Sequence, residues 1–174
     1  PIPELLRSVR LMNSEKVDMI LIACITASYF YEDIIQECNC SIVHPVLELE
    51  EYLNSRYQSG VSVGIVATSG SVSSGIFESI AKDDKFQVIY LSKVKQATFM
   101  DSVYGLGGFK SSKPPSAARQ KLQTCIEELV QSGAEIIVGG CTDVSLAMQK
   151  RAMPVPYIDL IDIIALSAIK FYYK

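Results

Sequence analysis

No segment of this 174-residue sequence is a basic stripe or a run of like charges, and aromatic and basic residues do not interleave. With a net charge of −3 and a pI near 5.2, there is no electrostatic footprint for nucleic acid, and no nucleic-acid partner is expected. Long apolar runs are also missing, so no segment can cross a bilayer, and no secretory signal is visible. A protein resident in the cytoplasm, without a membrane partner, is the expectation. Cysteines number five, an odd count that fits free thiols in a reducing compartment better than a disulfide framework. Histidine occurs once, at His44. Cys38-x-Cys40 followed by His44 matches no standard zinc spacing and lacks a fourth ligand nearby, so no metal site is expected. His44 itself reads as a packed, satisfied residue.

What is present is ordinary globular composition, 49% hydrophobic and 20% charged, enough for a substantial core. Short β-rich apolar runs alternate with helical-period segments. The pattern predicts strands over 17–23, 41–43, 62–67, 86–91, 135–140 and 155–158. It predicts helices over 4–13, 27–38, 46–57, 73–81, 95–103, 116–131, 144–150 and 159–172. Such alternation implies an α/β fold with parallel sheets covered on both faces. The stretch 104–116, YGLGGFKSSKPPS, carries three glycines, two prolines and two lysines, and reads as a lid or crossover loop. Cys125 falls among the apolar neighbours Leu122 and Leu129 and reads as core.

Two stretches share a layout, KVDMILIAC ending at Cys24 and GAEIIVGGC ending at Cys141. Each has an acidic residue six positions before the cysteine (Asp18, Glu135), an apolar strand, the cysteine, and a threonine close by. This degenerate repeat suggests two similar lobes, each offering a cysteine from the carboxyl end of a strand, where ligands bind in parallel sheets. A thiol at a helix start faces free amides and the positive end of the helix dipole, which favours thiolate. On these residues alone, two buried structural cysteines remain the alternative. The turn 68–74 is suited to a carboxylate rather than a phosphate, since it lacks the P-loop lysine and spacing.

Four motifs in order resemble the cofactor-independent aspartate/glutamate racemase family. Ala23-Cys24-Ile25-Thr26-Ala27-Ser28 resembles its C-N-T-A-H motif, and Val66-Ala67-Thr68-Ser69-Gly70-Ser71 its A-T-x-G-T turn. Val103-Tyr104-Gly105 with Gly108-Phe109-Lys110 resembles I-Y-G…G-I-K, and Gly140-Cys141-Thr142-Asp143 resembles G-C-T-E. The resemblance implies two similar lobes related by a pseudo-twofold axis, no cofactor, and a homodimer. It also implies a racemase in which Cys24 and Cys141 act as paired acid and base on aspartate, glutamate or a related α-amino acid. It places Ile25, Thr26, Thr68, Ser69, Ser71, Lys110 and Thr142 around that substrate, with Lys110 on a side-chain carboxylate. The expected division is a partial first lobe at 1–45, a second lobe at 46–154, and a return segment at 155–174 packing on the first.

The sequence departs from the family pattern in three places. Ile25 stands where the motif has asparagine and cannot donate a hydrogen bond. Ser28 stands for histidine, and Asp143 for glutamate. Family members also carry a strand and a glycine-rich loop ahead of the region resembled here, so the N-terminal β-α unit is expected to be missing from this chain. These departures leave open a hydantoin racemase, a maleate isomerase, or a catalytically impaired binding protein of the same fold.

Overall fold

A computed structural model describes residues 1–111, 116–148 and 153–173. The chain forms a small parallel sheet, a large parallel sheet, and helices on both faces of the latter. The first helix, α1 (Ile2–Ser14), leads to β1 (Met19–Leu21), which pairs in parallel with β2 (Ser41–Val43). Between these strands lie a 3-10 segment, Ile25–Phe30, and the short α2 (Tyr31–Ile35). The large sheet holds β3 (Val61–Ala67), β4 (Phe86–Tyr90), β5 (Ile136–Gly140) and β6 (Tyr157–Asp159), in the order β4-β3-β5-β6, all parallel.

The alternation of side chains along β3 and β5 builds two cores. Val63, Ile65, Ile136 and Val138 face one way, against Leu49 and Leu53 of α3 (Pro45–Arg56) and Leu160 and Ile163 of α8 (Leu160–Tyr172). Val66 and Ile137 face the other way, against Phe99 of α5 (Lys93–Tyr104) and Leu122, Ile126 and Leu129 of α6 (Ser116–Gln131). Central strands buried on both faces are what continuous apolar runs specify. Each fully buried leucine or isoleucine contributes about 1.5–3 kcal/mol. At Gly64, an added Cβ would lie 2.9 Å from the Ala134 Cβ and 3.2 Å from that of Leu129, so the missing side chain lets α6 close on the sheet.

α8 begins where Asp159 Oδ1 accepts the Ile161 amide, and Ser167 on it donates to Glu48 of α3. The same helix touches both strands of the small sheet and so bridges the two. Among the described residues, no helix is long and apolar enough to cross a membrane.

Two expected helices are corrected. The helix expected over 27–38 is instead the 3-10 segment followed by one short turn of α2. The Thr26 hydroxyl is drawn into bonds with a distant turn, and the Ser28 carbonyl is paired with His44 Nε2 at 3.3 Å. The helix expected over 73–81 is split into α4 (Ser69–Ser73) and a 3-10 segment at Glu78–Asp84. Gly75, at φ +70°, turns the chain between them. The last two residues of the helix expected over 144–150, and 112–115 of the expected lid, lie outside the described residues.

His44 caps α3, its Nδ1 accepting the Leu47 amide at 3.2 Å, while Nε2 faces the Ser28 carbonyl. Both contacts require a neutral ring with its proton on Nε2. Burial lowers its pKa from the usual 6.5. The unfolded chain therefore takes up the proton first, and this contribution to stability is complete above pH 6.5 and lost as pH falls below it. Urea unfolding from pH 7.5 downward should show that loss. His44→Asn, which keeps a capping acceptor worth about 1 kcal/mol, should have a shallower slope; an unchanged slope would remove His44 as its source.

Candidate functional site

Apart from Lys110, which follows α5, the expected site residues lie just beyond the carboxyl ends of β1, β3 and β5, and contacts gather part of them into two clusters. The first joins the turns after β1 and β3. Thr26 Oγ1 lies 2.7 Å from Ser71 Oγ and 3.2 Å from Thr68 Oγ1, and the latter two are 3.2 Å apart. Ser71 and Thr68 are buried. Gly70 lets Thr26 in, since a Cβ there would meet the Thr26 methyl at 3.2 Å. Ser69 sits beside this cluster and is held from α5: Gln96 Nε2 donates to Ser69 Oγ at 3.2 Å and to the Ala67 carbonyl at 3.0 Å.

The second cluster surrounds Cys141, ahead of α7 (Thr142–Met148). Cys141 Sγ lies 3.6 Å from Asp143 Oδ2, and Lys110 Nζ is 3.5 Å from the same oxygen. Backbone folding delivers Lys110. After α5 ends, Gly107 turns at φ +80°, and the amides of Phe109 and Lys110 bond back to the carbonyls of Ser102 and Val103. Gly108 has no room for a Cβ, which would lie 2.6 Å from the Val103 carbonyl oxygen. Lys110 is half exposed and also stands 5.4 Å above the Tyr104 ring. Thr142 is exposed in the first turn of α7.

Register links the clusters. Ala67 of β3 pairs with Gly140 of β5, so Thr68 and Cys141 are the next residues on adjacent parallel strands. Cys24 is exposed and starts the 3-10 segment two residues before Thr26. It also lines an apolar groove of about 200 Å³ with Leu5, Val9, Met12, Ile20 and Ile34, a groove that does not include Cys141. Ile25, expected beside the substrate, is instead 2% exposed and packed in the core, so it offers a ligand almost no surface.

The expectation that both cysteines are pushed toward thiolate is corrected at Cys141. Its pKa is raised, chiefly by burial; the amides of Asp143 and Val144 pull it down, and the Asp143 carboxylate pushes it up again. The same carboxylate raises the pKa of Lys110.

Sequence reasoning missed Gln96 and Tyr157. Tyr157 pairs in register with Ile137, so its ring shares a face with Ile137, Gly139 and Cys141. Its hydroxyl lies over Gly139, where a Cβ would collide with it. That hydroxyl is buried and meets no partner in full hydrogen-bonding geometry among the described residues; burial raises its pKa first, and the nearby Asp159 and Asp162 carboxylates add to the rise. The Gly139-Gly140 pair was the available signal, since a double glycine in a strand marks close approach. Only the neighbouring strand identifies what approaches.

Differential alkylation with peptide mapping should label Cys24 ahead of Cys141 at pH 7. Asp143→Asn should move the pH midpoint for Cys141 labelling downward. Earlier labelling of Cys141, or an unmoved midpoint, would contradict the electrostatic account.

A family model described as Asp/Glu/Hydantoin racemase matches residues 1–168. The broad specificity amino-acid racemase RacX of Bacillus subtilis is 26% identical over 156 residues, covering 90% of this chain. The chain spans 65% of that relative's length. The fold is shared with an aspartate racemase of Picrophilus torridus (TM-score 0.80, 17% identity, 98% of this chain and 69% of that one). It is shared also with a glutamate racemase of Bacillus anthracis (TM-score 0.69, 14% identity, 99% and 66%).

Proposed function

Because the chain belongs to the Asp/Glu/hydantoin racemase family, we propose that it racemises an α-amino acid by proton transfer between Cys24 and Cys141, without a cofactor. The observation that carries this reading is the hydroxyl junction of Thr26, Ser71 and Thr68. It ties the turn that bears Cys24 to the strand end beside Cys141.

In the proposed reaction, a thiolate at one cysteine takes the α-proton, breaking the Cα–H bond and leaving the electron pair on the substrate as a carbanion. The thiol of the other then donates its proton to the opposite face of Cα. The products are the inverted amino acid and a pair of cysteines with exchanged protonation. Two groups that must differ in protonation titrate as a coupled pair. Burial at Cys141 favours the protonated form there, which suits Cys141 to the donor role for one enantiomer. Charge growing on the substrate carboxylate would be met by the hydroxyls of Thr26, Thr68 and Ser71 and by amides at the start of α7. Thr142, exposed in the first turn of α7, is the further hydroxyl assigned to the substrate, and Ser69, held by Gln96, orients the turn.

The substrate side chain is constrained by Lys110. It arrives already paired with Asp143, so an acidic side chain would have to displace that carboxylate. This pairing favours neutral amino acids over aspartate and glutamate. As the resemblance implies, the assembly proposed is a homodimer.

Incorporation of solvent deuterium at Cα tests the reading across a panel of neutral and acidic amino acids and a hydantoin. Exchange into neutral amino acids is expected, with Cys24→Ser and Cys141→Ser each lowering kcat/KM by about 10²–10⁴. Asp143→Ala should raise exchange into aspartate relative to alanine. Full activity in either serine variant would refute the two-cysteine assignment. Exchange into the hydantoin alone would replace the amino-acid substrate.

A further inference from the structure

A second pair of cysteines lies at the other end of the small sheet. After α2, the chain bends through Asn39 and Cys40 into β2, whose opposite end leads to His44. Cys38 Sγ and Cys40 Sγ are 3.5 Å apart, in hydrogen-bonding contact, and Cys38 Sγ also lies 3.3 Å from the Cys40 carbonyl oxygen. Both are half-buried, neither sealed in a core nor fully open.

The turn that carries them is held from outside. Asn13 of α1 donates to the Glu37 carbonyl at 2.7 Å and accepts the Asn39 amide at 3.0 Å, bracketing Cys38 on both sides. Arg10 grips the Glu37 carboxylate through two nitrogens, at 2.8 and 3.0 Å. The thiols are thus preorganised by a frame that does not depend on their own contact. Among the described residues, no third histidine, cysteine, aspartate or glutamate joins them in a metal-holding group. Two thiols in contact, held in one turn and reachable from solvent, suit disulfide closure.

We propose that Cys38 and Cys40 form a vicinal redox dithiol that closes to an intramolecular disulfide by exchange with a low-molecular-weight disulfide. The Cys38 thiolate attacks one sulfur of the small disulfide, forming a mixed disulfide and releasing one small thiol. The Cys40 sulfur, after losing its proton to solvent, attacks Cys38 and releases the second. The protein loses two thiol hydrogens, and one disulfide is reduced to two thiols. Burial and the contact with Cys38 push the Cys40 pKa up to about 11, and the proposed order takes Cys38 as the first nucleophile on that ground. This chemistry is independent of proton transfer at Cys24 and Cys141.

The test uses the purified chain, oxidised glutathione at pH 8, alkylation of remaining thiols, and peptide mass mapping. In the unaltered chain, the peptide with both cysteines is expected to lose two hydrogens and keep no glutathione. Cys40→Ser should trap one glutathione on Cys38. Cys38→Ser should slow modification of Cys40 by roughly tenfold. A stable glutathione adduct on Cys38 of the unaltered chain would overturn the proposal, as would a disulfide from either residue to another cysteine, or both thiols remaining free. These outcomes require no folding of a variant. Equal reactivity of Cys40 with and without Cys38 would reverse the assigned order.

Discussion

Three hydroxyl groups hold the functional end of this fold in one place. Thr26 reaches from the turn after the small sheet to Ser71 and Thr68 at the end of the central strand of the large one. With two of the three hydroxyls buried, each bond exchanged there for water would leave a polar atom to be satisfied elsewhere, so the junction is costly to open. Everything else at the site is arranged relative to it. Cys24 precedes it by two residues, Gly70 makes room for it, and Cys141 lies one strand away.

Electrostatics then separate the two sulfurs. Cys24 is exposed, whereas Cys141 has amides, a carboxylate and an apolar sheet face as neighbours. Amides at the start of a helix favour a thiolate, but at Cys141 desolvation outweighs them, and Asp143 adds to the same side. Asp143 also engages Lys110. One carboxylate thus affects both the proton on the sulfur and the Lys110 cation.

The alternation of strands and helices was legible because buried parallel strands need unbroken apolar runs, and 61–67 and 136–140 have them. Period and length were enough there, and for α6 over 116–131. Between Cys24 and Cys38 the same reasoning placed a regular helix and failed, because Thr26 and Ser28 are held by partners more than 15 residues away. At 73–81 it passed over Gly75, whose positive φ no hydrophobic pattern reveals. The residues expected at the site were read as motifs. Their grouping into a hydroxyl cluster and a Cys141–Asp143–Lys110 cluster was not, since it depends on strand order. Gln96 and Tyr157 lay beyond reach for the same reason: neither carries a local signal, and each matters through the residue it lies across.

The double glycine before Cys141 has a wider consequence. Gly140 is met by Ala67 and Phe77 on one face, and Gly139 by Tyr157 on the other. For two residues, then, the central sheet has no walls of its own and borrows them from elements far away in sequence. The packing of the sheet just before Cys141 is accordingly set by Phe77 on one face and Tyr157 on the other. Drift at those two remote positions alters that packing while the cysteine and the strand beneath stay untouched.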